Sequence, residues 1–346
     1  MTVVKVEASR KYDVLIGENI FDNIGNYAKN VIGICKALII TDTNVEPLYA
    51  KRLTDSLENE GYEVLKYVIK AGEASKNSEN FIKILNFAAE NHLTRTDAIF
   101  ALGGGVVGDL SGFCAASYLR GVKFVQIPTT LLASVDSSVG GKTAINLDAG
   151  KNLAGAFYQP HLVVCDPTVL ETLPEDVFKD GCAEVIKTAI LGDKELFEAL
   201  KNKKITADII ARCVQIKRDV VCEDEHDTGK RQLLNLGHTI GHTIEKLSNF
   251  EISHGKAVAI GMSVISNTDL TEKECRESIV EMLKLYSLPT KCSFSSDDIY
   301  KVALSDKKRA DGNITLVIPR GIGDCILKSV SMKSLKSIID KGVCNK

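Results

Sequence analysis

The sequence predicts an α/β chain in two parts, a largely parallel sheet with helices at the N-terminal end and a mainly α-helical C-terminal part. Short apolar strands alternate with helical periodicity up to residue 167, the pattern of βαβ units. Beyond Pro167 helical spacing takes over and strand-like runs become scarce. The length of 346 residues suits two domains at roughly 150 residues each. The expected division is 1–167 and 168–346. No Pro- or Ser-rich linker separates the halves, so they are expected to pack closely with a cleft between them.

Val3–Ser9 and Tyr12–Ile16 suggest an opening hairpin. Ala37–Ile40 is a short apolar run that closes on the polar turn Thr41-Asp42-Thr43-Asn44. Glu63–Ile69 is the next strand, followed by Ala71-Gly72-Glu73-Ala74-Ser75-Lys76. Across Asn80–Asn91, Phe81, Ile84, Leu85 and Ala88 recur at helical spacing. Ala98–Leu102 runs straight into three glycines, and Lys123–Ile127 is a further buried strand before Pro128-Thr129-Thr130. In the second half, Glu175–Leu191, Asp193–Lys201, Thr206–Val221, Arg231–Leu247, His254–Asp269 and Glu272–Leu285 read as helices, with Ile314–Ile318 the main strand-like exception.

Composition narrows the function. The chain has 43 basic and 45 acidic side chains, a net charge of −2, with 45% hydrophobic and 25% charged residues. This is ordinary for a soluble globular protein and excludes a disordered chain or a generally basic nucleic-acid binder. No apolar run approaches the ~18 residues of a membrane helix, and the first residues read as a strand rather than a signal peptide. The ten cysteines are scattered without a CxxC pair and read as free packing thiols in a reducing cytoplasm. Neither nucleic acid nor membrane is expected as a partner.

Gly103, Gly105 and Gly108 satisfy G-x-G-x-x-G between an apolar strand and a helix. Glycines there let backbone approach a pyrophosphate, and the following helix N-terminus favours an anion. A plain tight turn is the alternative. The usual dinucleotide fingerprint follows the first strand and has an acidic residue about 20 positions on, where this chain offers Arg120 and Lys123. Asp42, closing an earlier strand, is the better candidate for a ribose hydroxyl, with a simple turn residue as its alternative.

Six histidines occur, and three of them, His238, His242 and His254, lie close together in sequence. His238 and His242 are four apart, which puts both imidazoles on one helix face, as metal ligands often require. Thr239 stands where the glutamate of H-E-x-x-H would be, which disfavours a metallopeptidase. A hydrogen-bonded core pair is the alternative. Spacing favours His238 with His242, ahead of His254 or the oxygen donor Glu184.

Gly140-Gly141-Lys142-Thr143 resembles part of a P-loop, but Asp136 stands where its first glycine would be, which disfavours a Walker ATPase. Gly150-Lys151-Asn152 follows closely. Two glycine–lysine pairs suit an anionic substrate. Lys187, Lys217, Arg231 and the run Asp306-Lys307-Lys308-Arg309 can join them, although each alone is more often a solvated charge.

The segments GGGVVGDLSGF, RGVKFVQIPTTLLASVDSSVGGKTAIN, GKNLAGAFYQP, GCAEVIK, RQLLNLGHTIGHTIE and HGKAVAIGM, in this order, resemble the 3-dehydroquinate synthases of the sugar phosphate cyclase superfamily. The resemblance runs from Thr41 to about Asp311. It implies a Rossmann-like NAD-binding domain followed by a mainly helical metal- and substrate-binding domain. Zinc or cobalt ligands would fall on Glu184, His238 and His254, which displaces the spacing choice and moves His242 to the substrate pocket. NAD contacts would map to Asp42, Asn44, Glu73, Lys76, the Gly103-Gly104-Gly105 turn, Asp109, Thr129 and Thr130, with Lys142 and Lys151 near both ligands. Asp136, Asn152, Lys187, Lys217, Arg231, Asn235 and His242 would line the pocket, and Arg120 would reach a phosphate across a homodimer interface.

The resemblance implies the substrate 3-deoxy-D-arabino-heptulosonate 7-phosphate. Its C5 alcohol is oxidised by NAD, phosphate is eliminated, hydride returns, and ring opening with aldol closure gives 3-dehydroquinate. Asp227 stands where the family commonly has glutamate, and the last 35 residues carry no usable motif. Three other readings compete. Another cyclase, such as 2-deoxy-scyllo-inosose synthase, would differ in the carboxylate pocket. A metal-dependent alcohol or glycerol dehydrogenase would release reduced cofactor. A non-catalytic NAD-binding module would lack the metal set.

Overall fold

A computed structural model of the chain describes residues 1–307 and 313–344, with side chains except at 305–307 and 344. The basic run Asp306-Lys307-Lys308-Arg309 lies outside the residues so described. The chain forms two compact units, Met1–Leu173 with Thr206–His226, and Pro174–Ile205 with Asp227–Lys346.

Unit 1 opens with the antiparallel hairpin β1 (Thr2–Glu7) and β2 (Lys11–Ile16). It continues through α1 (Ile24–Ile32), β3 (Lys36–Asp42), α2 (Lys51–Glu58), β4 (Glu63–Ile69), α3 (Ser78–Glu90), β5 (Ala98–Gly103), α4 (Gly105–Ser117) and β6 (Lys123–Pro128). A separate hairpin, β7 (Lys142–Leu147) and β8 (Gly150–Phe157), precedes β9 (Leu162–Cys165). The main sheet has seven strands in the order β1-β2-β9-β6-β5-β3-β4, parallel at every pairing except β1–β2. All residues of β5 are buried, because helices and loops cover both faces of a central parallel strand. Leu38, Ile40, Ile99, Ala101 and Phe124 of the sheet pack with Val107, Leu110 and Cys114 of α4. Asn77 caps α3 by accepting from Asn80 N–H. The Gly-Lys-Thr at 141–143 opens strand β7 instead of a helix, so it is not built as a P-loop.

Unit 2 carries α5 (Glu175–Gly192) and α6 (Lys194–Leu200); after α7 (Ala207–Glu223), it resumes with α8 (His238–Leu247), α9 (His254–Ile265), α10 (Lys273–Leu285) and α11 (Ser296–Lys307). It ends with the hairpin β10 (Asn313–Gly321) and β11 (Asp324–Ser331) and with α12 (Met332–Cys344). The helix α7, capped by Thr206, belongs to unit 1. Its buried stripe of Ile209, Ile210, Cys213, Val214 and Val221 packs along β1, β2 and the Ala133–Ser137 turn. The structural division therefore differs from a single break after residue 167: the first crossing follows Leu173, and α7 returns to the sheet.

The expected helix Arg231–Leu247 is interrupted. A short helical turn, Lys230–Asn235, stops ahead of Gly237, whose φ of +78° is the left-handed region that glycine favours, and α8 starts at His238. Among the described residues no helix is long and apolar enough to cross a membrane. The described cysteines are all free thiols, and Cys114, Cys165, Cys182, Cys213 and Cys275 are buried.

His161 tests the packing at the start of β6. Its backbone N–H donates to the Phe124 carbonyl at 2.7 Å, and its Nδ1 accepts from Phe124 N–H at 3.1 Å, a bond only the ring with a free Nδ1 lone pair can accept. Burial, then the charges of Arg10 and Lys123, push its pKa from 6.5 down to about 4. The unfolded chain takes up a proton in this window that the fold refuses, so His161's contribution is present above pH 6.5 and is lost as the pH falls toward about 4. Urea unfolding is expected to show stability falling more steeply over that window in the wild type than in His161→Gln. Parallel pH profiles would contradict the assignment.

Candidate active site

In unit 1 the chain runs outward from β3 to β4 and then crosses to β5 on the other side of β3. The strand order thus reverses between β3 and β5, the crevice where doubly wound sheets bind ligands beyond the strands' carboxyl ends. Those ends carry Asp42, the Gly103-Gly104-Gly105 turn and, on β6, Pro128 before Thr129 and Thr130. Gly104 is the N-cap of α4. A Cβ there would lie 2.9 Å from Thr130 Cγ2, and one at Gly105 would lie 3.2 Å from Ser137 Oγ. Small residues therefore let the amino end of α4 approach the segment after β6, leaving first-turn N–H groups for an anion. Thr129 Oγ1 is buried and finds no hydrogen-bond partner among the described residues. Thr130 Oγ1 accepts from Ala133 N–H. Asp42 acts locally as a turn residue, its Oδ1 accepting from the N–H groups of Asn44 at 2.8 Å and Val45 at 3.1 Å.

Lys76 is buried, with Nζ 3.0 Å from Asp109 Oδ2 and 3.3 Å from Glu73 Oε1. Burial opposes its charge, but the two carboxylates outweigh it and raise its pKa. For Asp109 burial outweighs the attraction of Lys76 and raises the carboxyl. Asn146 extends this network: its Nδ2 donates to Glu73 Oε1 at 2.7 Å, and its Oδ1 accepts from Asn152 N–H at 2.9 Å. Sequence reading passed over Asn146, although it closes the quoted GGKTAIN segment. Lys142 opens β7, and Lys151 and Asn152 lie in β8, Asn152 at a φ of +57°. Lys217 on α7 is buried and places Nζ 2.5 Å from Asp136 Oδ1 and 2.6 Å from the Asp136 carbonyl oxygen. Arg120 stands exposed in the turn after α4 at a φ of +69°.

In unit 2, one carboxylate organises the surroundings. Glu184, in the middle of α5, is 0% exposed. Lys187 is likewise buried, its Nζ 2.5 Å from Glu184 Oε2. Oε1 lies 3.3 Å from His254 Nε2 and 3.6 Å from His238 Nε2. Neither oxygen accepts a well-aligned hydrogen bond among the described residues. Burial disfavours the charge on Glu184, but Lys187, His238 and His254 overcome it and hold the pKa well below the usual carboxylate range. Burial, then Lys187, pushes His238 down to about 3. Burial also works against a charged His254, but the nearby carboxylates of Glu184 and Glu245 hold it up at about 10.

The ligating atoms of Glu184, His238 and His254 all lie within 4.8 Å of one another, a two-imidazole, one-carboxylate set of the kind that binds catalytic divalent ions. His242, Glu245 and His254 form a second such group. The spacing pair also meets: the His238 and His242 rings are 5.4 Å apart at their centroids, against 5.2 Å for His238 and His254. His242 and Asn235 are exposed, whereas Arg231 is buried in the Lys230–Asn235 turn that packs on α5. Asp227 adopts a φ of +59°, which aspartate tolerates better than most residues. Glu245 escaped the sequence reading. Its signal was an acidic residue two turns beyond His238, preceded by Thr243 and Ile244 on a largely apolar segment.

His238 and His254 each open a helix, so their separation depends on how closely α8 approaches α9. A Cβ at Gly261 would meet the Gly237 carbonyl oxygen at 2.0 Å. Gly261→Ala is therefore expected to lower stability by about 2 kcal/mol, as overpacked cores do, in urea unfolding. A wild-type curve would show that this contact does not set the helix spacing.

Among the solved structures it resembles are sugar phosphate cyclases. The fold matches 2-deoxy-scyllo-inosose synthase complexed with carbaglucose-6-phosphate, NAD+ and Co2+ at a TM-score of 0.88 and 25% identity, covering 99% of this chain and 100% of that one. It matches 2-epi-5-epi-valiolone synthase from Streptomyces hygroscopicus subsp. jinggangensis 5008, with NAD+ and Zn2+ bound, at a TM-score of 0.86 and 27% identity, covering 97% and 98%. Family models for the 3-dehydroquinate synthase N-terminal and C-terminal regions match residues 66–180 and 181–309. The 3-dehydroquinate synthase of Clostridium perfringens (strain 13 / Type A) is 46% identical over 338 residues, covering 94% of this chain and 97% of that relative. The chain belongs to the 3-dehydroquinate synthase family.

Proposed function

We propose that this chain converts 3-deoxy-D-arabino-heptulosonate 7-phosphate to 3-dehydroquinate and inorganic phosphate, a carbon–oxygen lyase step of the shikimate pathway in aromatic amino-acid biosynthesis. The observation that carries this is the 46% identity to a 3-dehydroquinate synthase along 94% of the chain. The inosose synthase alternative has 25% identity behind it.

When bound, NAD supplies a hydride acceptor that returns hydride within the turnover, and a zinc or cobalt ion supplies a Lewis acid that lowers an alcohol's pKa. The unpartnered Thr129 hydroxyl and the glycine-lined start of α4 suit a cofactor pyrophosphate. Asp42, Asn44, Glu73, Lys76, Gly103, Gly104, Gly105, Asp109, Thr129 and Thr130 hold the cofactor in this proposal, with Lys142 and Lys151 serving cofactor and substrate. The unaligned oxygens of Glu184 and the facing Nε2 atoms of His238 and His254 suit a divalent ion. Lys142, Lys187 and Arg231 offset the negative charge that builds on the enolate and the departing phosphate. A phosphate oxygen accepts the C6 proton as the C–O bond breaks. Lys217 is a substrate-pocket cation steadied by Asp136, and Asn152, Asn235 and His242 orient substrate hydroxyls through hydrogen bonds. The chain works in the cytoplasm, where its free thiols persist, and as a homodimer in which Arg120 reaches a phosphate of the neighbouring subunit's substrate.

With heptulosonate phosphate, NAD and Co2+ or Zn2+, phosphate and dehydroquinate are expected in equal amounts without lasting NADH absorbance. Phosphate released only from glucose 6-phosphate would establish the inosose synthase reading, and stoichiometric NADH a dehydrogenase. Lys187→Ala is expected to slow turnover at least ~100-fold, the loss of a charge-stabilising donor, with NAD affinity unchanged. Near-normal turnover would refute its role.

A further inference from the structure

We infer that Glu245 is a positioning residue for the metal centre, accepting the Nδ1 proton of His254 so that the Nε2 lone pair of the same ring is aimed at the ion. This rests on the proposed metal reading of Glu184, His238 and His254. Glu245 is buried on α8. Its Oε2 lies 3.4 Å from His254 Nδ1, while His254 Nε2 lies 3.3 Å from Glu184 Oε1. One imidazole thus meets a carboxylate at each nitrogen. A neutral imidazole has one N–H and one lone pair. Without an ion both nitrogens face a carboxylate; once Nε2 gives its lone pair to an ion, the one remaining proton sits on Nδ1, where Glu245 accepts its hydrogen bond.

His238 meets the same requirement by different means. Its Nδ1 lies 3.1 Å from the Leu236 carbonyl oxygen, and its Nε2 faces Glu184. Both histidines therefore carry an oxygen acceptor at Nδ1 and direct Nε2 at one carboxylate. The alternative, in which Glu245 is itself a ligand with His242 and His254, would draw the single lone pair of His254 to a different ion. The two groups exclude each other for a neutral ring, and only the Glu184 set contains a fully buried carboxylate with both oxygens unaligned. The carboxylate of Glu245 also makes the ring a more basic ligand, an effect that oxygen partners behind metal-bound histidines typically exert on affinity by about 10–100-fold.

The test titrates metal-free wild type, Glu245→Gln and Glu245→Ala with Zn2+ against a competing chelator, and repeats it with Co2+ while recording the visible absorption of the bound ion. The expected result is affinity reduced about 10-fold in E245Q and about 100-fold in E245A, with the Co2+ bands displaced in both. NAD affinity and the urea-unfolding midpoint of the metal-free proteins should stay at wild-type values. Wild-type affinity in E245A would overturn the inference. So would a loss of metal affinity accompanied by an equal loss of NAD affinity and a lowered midpoint, which would make Glu245 a general structural residue. A wild type that binds no ion would instead remove the metal reading on which the inference rests.

Discussion

The burial of Glu184 is the constraint around which unit 2 is arranged. An ionised carboxylate removed from water costs several kcal/mol unless close partners offset it. Here the partners come from three helices: Lys187 one turn along α5, His238 from the first turn of α8 and His254 from the first turn of α9. The helices must therefore approach with little side-chain bulk between them. Gly237 just before α8, Gly241 on α8, Gly261 on α9, and Gly255 against the Asp180 backbone of α5 supply that closeness.

Unit 1 meets a related demand by different means. Lys76 and Lys217 are buried cations, each paired with carboxylates close to the β3, β5 and β6 loops or the turn that follows them. Asn146, in β7, ties the Glu73–Lys76 turn to Asn152 of β8. The net charge of −2 conceals this arrangement. A nearly neutral total is compatible with four buried cations among the described residues, Lys76, Lys187, Lys217 and Arg231.

Much of the fold was legible because the central strands are apolar on both faces. Ala98–Leu102 is a short uninterrupted apolar run, Lys123–Ile127 is apolar but for Lys123 and Gln126, and the helices from α5 to α10 keep regular apolar spacing. The β7–β8 hairpin was not legible, since its glycine–lysine pairs resemble binding loops and its apolar residues alternate weakly. β11 and α12 lie where no motif fell. Membership of α7 could not be read either: periodicity shows that a helix has an apolar face but not which unit covers it. The site was legible in part. Spacing put His238 and His242 on one face, but the distance from His254 to Glu184 depends on contacts between helices far apart in sequence. Only the family resemblance pointed to that set. Glu245 was hidden because its partner nitrogen lies on another helix.

The metal content of the purified chain tests the central claim most directly. After dialysis against zinc or cobalt and removal of free ion, the wild type is expected to hold one divalent ion per chain by elemental analysis. Glu184→Gln, which keeps the side chain's shape and removes its charge, is expected to hold none while keeping the wild-type circular dichroism. An E184Q protein that retains the ion at wild-type stoichiometry would contradict the account, because the buried carboxylate would then not be what the site is built around.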